Sequence, residues 1–169
     1  MFNYFGHKKI SILDGGLVKW KNENKKIENG SEKKFQKSNF KCTIKHEMLV
    51  LIDHVKENIN NKKFELVDAR SKGRFDGTEN EPRPDIKSGS IPKSSNMPWL
   101  ECIDPVSKCF LPKEVLQKKF EQINVNKNSK VVFSCGSGVT ACIVAKAFEI
   151  IDGKEFSVYD GSWTEWASQ

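Results

Sequence analysis

The residues best suited to chemistry lie in one stretch, Val131 to Ala145, VVFSCGSGVTACIVA. Strand-forming residues run straight into Cys135, Gly136 and Gly138 flank Ser137, and a helix-like run begins at about Gly138. A thiol there stands at the carboxyl end of a buried strand, on top of a sheet. The glycines let the backbone adopt turns closed to other residues. Successive N–H groups there can then point inward as an anion nest. The start of the helix adds free N–H groups and a positive end. Both favour a thiolate, which is the nucleophilic form. Ser137 and Thr140 add hydroxyls able to donate to sulfur or to a bound anion. The plain alternative is a buried, inert cysteine, and Cys142, inside the helical run, is read that way.

A second signal is the placing of arginine. The chain has 28 basic residues, yet only three are Arg, and Arg70, Arg74 and Arg83 fall within 14 residues of each other. The planar guanidinium grips a carboxylate or phosphate with two parallel bonds, which an ammonium cannot do. Arg70, next to a strand end, is read as a structural ion-pair partner.

Three chemistries share the outline around Cys135. A cysteine phosphatase loop, C-x5-R, is excluded because Ala141 stands six residues after Cys135. GSGVTA fits the dinucleotide pattern G-x-G-x-x-A, with Asp160 ending the next strand. That motif is weak alone and expected at the start of such a fold, whereas here the sequence ends nine residues after Asp160. The third is sulfur transfer through a cysteine persulfide, whose terminal sulfur the nest would hold.

Composition narrows the setting. The cysteines (42, 102, 109, 135 and 142) form no C-x-x-C pair, which suits free thiols in a reducing compartment. With His7, His46 and His54 they show no zinc-ligand spacing, so no metal is expected. The net charge of +6 comes from scattered lysines, and nucleic-acid binding is not expected. No apolar run is long enough for a membrane span, and no secretory signal opens the chain.

These residues need elements to position them. FELVD (64–68), KVVFS (130–134) and FSVYD (156–160) have the make-up of buried strands, and 90–99 is a short extended piece. Helices are expected over 44–60, 112–123, 138–151 and 162–168, and a loop over 70–90. Alternating strands and helices predict an α/β fold with a mostly parallel sheet whose site lies at the carboxyl strand ends. The chain also repeats itself: ISILDGGLVKW (10–20) matches FSVYDGSWTEW (156–166) at Asp14/Asp160, Gly15/Gly161 and Trp20/Trp166. Each copy reads as a strand, a turn and a short helix. The expected organisation is therefore the closing part of a first unit (1–30), a polar linker (31–41) and a complete second unit (42–169). Lacking a sheet to join, 1–30 is expected to pack loosely.

CGSGVTA resembles the active-site loop of the 3-mercaptopyruvate sulfurtransferases in the tandem-domain rhodanese superfamily. Residues 67–92 (VDARSKGRFDGTENEPRPDIKSGSIP), YDGSWTEW (159–166) and FGHKKISILDGGLVKW (5–20) resemble further segments of that superfamily. The resemblance implies a rhodanese-like domain with a central, mostly parallel five-stranded sheet flanked by helices. It implies that Cys135 carries sulfur as a persulfide, that Gly136, Ser137, Gly138, Val139 and Thr140 cradle it, and that Ser137 assists proton transfer. Arg74 and Arg83 match the two arginines that hold the substrate carboxylate. Gly136-Ser137 stands where thiosulfate-using relatives carry a basic pair, so the implied donor is mercaptopyruvate, with thiosulfate as the alternative. No cofactor is implied. The implied acceptor is a thiol, such as a reduced thioredoxin-type protein, or cyanide, in the cytoplasm or the mitochondrion. In the superfamily a first domain supplies a His and an Asp to the site. Nothing matching them stands in this sequence, so a half-built site, a non-catalytic persulfide carrier or an inert remnant domain is the further alternative.

Overall fold

The chain is described by a computed structural model that covers residues 1–31 and 34–169. Its centre is the strand Val131–Ser134, buried at every residue, as a strand with neighbours on both edges and helices on both faces must be. Around it lie β1 (Leu49–Val50), β2 (Glu65–Asp68), β3 (Ser95–Asn96) and β5 (Phe156–Tyr159), Val131–Ser134 itself being β4. The order is β1-β5-β4-β2-β3, and every pairing is parallel. This is the expected α/β architecture with five strands.

Side chains alternate along β4, so the sheet has two cores. Val131, Phe133 and Cys135 face α4 (Lys113–Gln122) and α5 (Ala141–Ile150). There Phe120, Phe133, Phe148 and Phe156 pack with ring centroids 5.4–6.4 Å apart, mostly edge to face. Val132 faces the other way, with Val55 of α2 (Ile52–Asn61) and Trp163 of α6 (Ser162–Ala167), against Leu66, Ile91 and Tyr159.

Four local expectations change. The helix expected over 44–60 begins only at Ile52; His46–Met48 is a 3-10 turn and Leu49–Val50 is the edge strand β1. The apolar spacing of Leu49 and Val50 serves sheet pairing with β5, helped by the Ser157 hydroxyl donating to the Glu47 carbonyl. The loop expected over 70–90 contains α3 (Lys72–Asp76), closed by Gly77 in the left-handed region at φ 81°. The helix expected from Gly138 starts at Ala141, because Val139 and Thr140 form a turn first. Residues 10–13 form no strand, and Ile10, Ile12 and Leu13 are exposed.

The helix expected after that segment is present as α1 (Gly16–Asn22). The linker expected over 31–41 includes Glu32 and Lys33, which lie outside the described residues; 34–41 carry no helix or strand. Residues 1–30 are fastened at two places rather than lying loose. Tyr4 and Phe5 accept N–H bonds from Lys45 and Thr43. Asp14 accepts the Phe110 N–H at 2.9 Å, and the Lys19 ammonium donates to Cys109 Sγ at 3.1 Å.

Candidate active site

Cys135 follows β4 directly and is 2 % exposed. The loop after it is pinned from beneath by the first residues of α6. The Ser162 hydroxyl accepts the N–H groups of Cys135 (3.0 Å) and Gly138 (3.1 Å) and donates to the Tyr159 carbonyl (2.7 Å). The N–H groups of Trp163 and Thr164 donate to the carbonyls of Cys135 and Gly136 at 2.9 and 3.0 Å. The Thr164 hydroxyl donates to the same Gly136 carbonyl at 2.6 Å. What remains are the N–H groups of Gly136, Ser137, Val139, Thr140 and Ala141, none of which has an acceptor among the described residues. They are the donors left for an anion at the loop.

The two glycines work differently from each other. Gly138 has φ +76°, and a Cβ there would lie 2.9 Å from Asp160 Oδ1 and 3.1 Å from the Asp160 carbonyl oxygen. Both the turn and the close approach exclude a side chain. Gly136 has no left-handed backbone, contrary to expectation; its missing side chain makes room for arginine. A Cβ at Gly136 would lie 3.0 Å from Arg74 Nη2 and 4.0 Å from Arg83 Nη1. Two of the clustered arginines therefore converge on the residue beside the thiol.

Each guanidinium is held in place. Arg74, on α3, bonds Glu81 with two nitrogens, Nε to Oε1 at 3.1 Å and Nη2 to Oε2 at 2.5 Å. Glu81 also accepts Arg70 Nη1 at 2.7 Å. Arg70 is fully buried, bonded to the Asp68 carboxylate and the Gly89 carbonyl, with its guanidinium 4.6 Å from the Trp163 ring centroid. This is the structural ion pair expected of it. Arg83 Nη1 donates to the Thr164 hydroxyl at 2.9 Å. The Arg70 and Arg74 guanidiniums pair with the Asp68 and Glu81 carboxylates, whereas the Arg83 guanidinium has no ion pair among the described residues. Burial works against ionisation of Glu81, but the bonds from Arg74 and Arg70 outweigh it and hold its carboxyl below the usual carboxylate range.

Other predicted residues are placed less closely. Ser137 and Val139 are exposed, and among the described residues neither the Ser137 nor the Thr140 hydroxyl makes a hydrogen bond. Cys142, expected to be buried, is exposed; its thiol donates to the Gly138 carbonyl at 3.4 Å, and desolvation of the sulfur pushes it up from its ordinary range. No group of His, Cys, Asp and Glu able to hold a metal ion occurs among the described residues. No helix there is long and apolar enough to cross a membrane. A cavity of about 510 Å³ lies at the opposite end of the strands, against Lys130, Phe64 and Phe156, and touches none of the loop residues.

Sequence reasoning missed Glu81, Ser162 and Thr164. Glu81 lies in the arginine-bearing segment, but nothing in its type tells it from the other surface carboxylates. The two hydroxyl residues do leave a signal: Gly16 and Val18 stand at their places in the first copy of the repeat.

Comparisons with known proteins bear on the family to which this fold belongs. The family model of the rhodanese-like domain matches residues 51–169. Thiosulfate/3-mercaptopyruvate sulfurtransferase 1, mitochondrial, of Arabidopsis thaliana is 36% identical over 189 residues, covering 100% of this chain and 50% of that protein. The Homo sapiens 3-mercaptopyruvate sulfurtransferase is 36% identical over 166 residues, covering 98% of this chain and 55% of that protein. The crystal structure of SseA from Escherichia coli, among the 3-mercaptopyruvate sulfotransferases, superposes with a TM-score of 0.81 at 30% identity, covering 96% of this chain and 60% of that one. The chain thus spans about half the length of the curated relatives it matches. With the fold, the strand-end cysteine and these matches together, the chain belongs to the rhodanese-like domain family.

Proposed function

We propose that the chain carries the cysteine-bearing half of a sulfurtransferase whose donor is 3-mercaptopyruvate. The observation that carries this reading is the meeting of Arg74 and Arg83 at Gly136, beside the nucleophile. Their guanidiniums bind the donor's carboxylate, which sets its thiol sulfur at Cys135. The Cys135 thiolate attacks that sulfur and a new S–S bond forms. The donor's C–S bond breaks, and its electron pair goes to the carbon, giving the enolate of pyruvate, which takes up a proton. Cys135 is left as a persulfide, whose outer sulfur the free loop N–H groups receive. A thiol acceptor, such as a reduced thioredoxin-type protein, or cyanide then takes that sulfur and returns Cys135 to the thiolate. Ser137, exposed at the loop's tip, serves proton transfer, and Val139 and Thr140 complete the cradle.

Residues 1–30 are the closing part of a preceding rhodanese-like unit, 31–41 a linker, and 42–169 the catalytic domain. The support is the repeat, whose second copy buries Tyr159 while the matching Leu13 lies exposed. That preceding unit is a partner for the open side of the site. The setting is the cytoplasm or the mitochondrion, the latter being the compartment named for the Arabidopsis relative.

The test is mass spectrometry of the purified chain after exposure to mercaptopyruvate. The expected result is a gain of about 32 Da, one sulfur atom, confined to the Cys135 peptide and removed by a thiol. The Cys135→Ser variant should gain nothing. No gain on the unmodified chain overturns the reading.

A further inference from the structure

We infer that Thr164 is a positioning residue that fixes Arg83 against the sulfur loop and so sets how well the donor's carboxylate is read. The inference rests on the proposed function and goes beyond it, because it assigns a role to a residue outside the loop and the arginine cluster.

Three observations carry it. The Thr164 hydroxyl has one donor and one acceptor in use: it donates to the Gly136 carbonyl at 2.6 Å and accepts Arg83 Nη1 at 2.9 Å. Arg83 is otherwise an exposed side chain, and no other hydrogen bond to its guanidinium occurs among the described residues. The third observation is internal to the sequence. The repeat copies share Asp, Gly and Trp, yet Val18 occupies the place of Thr164. Val18 is exposed. The shared residues stand at the turn and in the short helix that both copies form. The hydroxyl appears only in the copy that meets the Cys135 loop, and the short helix of the first copy forms without it. An untethered arginine keeps its charge but loses the orientation that a two-bond grip on a carboxylate demands.

Thr164→Val is the matching test, because it keeps the shape, and the Thr164 N–H bond to Gly136 survives it. Two half-reactions are timed separately: loading of Cys135 by mercaptopyruvate, and discharge of the loaded persulfide to dithiothreitol. Thr164→Val should load about tenfold more slowly, the effect of one charged hydrogen bond. Its discharge should change less than about twofold, because the carboxylate has left by then. Thr164→Ser, which restores the hydroxyl, should load within about threefold of the unmodified chain. Equal loading by Thr164→Val and the unmodified chain overturns the inference. So does equal slowing of both half-reactions, which marks a structural role, or failure of Thr164→Ser to recover. Failure of the unmodified chain to load overturns the proposed function instead, and with it the role given to Thr164.

Discussion

Ser162 is the residue whose loss should most clearly expose how the loop is held. Its hydroxyl is fully buried, accepts two loop N–H groups and donates to one carbonyl. Ser162→Ala leaves the Cys135 and Gly138 N–H groups without an acceptor beneath the loop. Each buried orphan costs about 1–3 kcal/mol, so the variant should be destabilised by about 2–6 kcal/mol. Ser162 also stands at φ 52°, in the left-handed region, as Gly16 does at φ 57° in the first copy of the repeat. Ala keeps that strain, while Gly removes about 1–2 kcal/mol of it. Gly gives back about 0.4–1 kcal/mol through the freer unfolded chain. Ser162→Gly should therefore be more stable than Ser162→Ala, by up to about 1.6 kcal/mol, and both should lie well below the unmodified protein. Urea titrations of the three proteins, with slopes compared, measure this ordering. A loss under about 1 kcal/mol for Ser162→Ala would refute the argument, since two orphaned buried donors cannot cost so little. A Gly variant weaker than the Ala variant would refute the strain argument alone.

Two further outcomes follow from the buried groups. Glu81→Gln removes the charge that faces Arg70 and Arg74 and should cost about 3 kcal/mol at neutral pH. Because the folded carboxyl is held low, its contribution is complete above the unfolded carboxylate range and is lost as pH falls through the folded value. The gap between variant and unmodified protein, followed by urea midpoint, should therefore shrink towards acid; a constant gap would contradict the ion-pair account. Burial pushes the Cys102 thiol up to about 12. At a pH of about 8 iodoacetamide should leave it unlabelled in the folded protein and label it in denaturant, and native labelling would contradict its burial.

The sheet was legible because β2, β4 and β5 are short apolar runs that nothing but burial explains, and the turn at Gly138 was legible from its residue type. Leu49 and Val50 were not, since a two-residue edge strand leaves no period of its own and its apolar pair fits a helix equally well. The arginine cluster announced itself by composition. Its geometry did not: Gly136 was expected to bend the backbone, and instead its bare Cα admits Arg74. Ser162 and Thr164 act through hydroxyls that reach back across 24 to 28 residues of chain, a distance no local pattern encodes. The same limit explains Glu81, which matters only because the fold brings Arg70 and Arg74 to it.

The central claim is that Cys135 accepts sulfur from a carboxylate-bearing donor held by Arg74 and Arg83. The most direct test is the rate of sulfur gain on the Cys135 peptide with mercaptopyruvate, compared among the unmodified chain, Cys135→Ser and the double variant Arg74→Lys/Arg83→Lys. The account predicts a gain of about 32 Da on the first, none on the second, and loading slowed at least about tenfold on the third. No gain on the unmodified chain, or loading of the double variant at the unmodified rate, would contradict it.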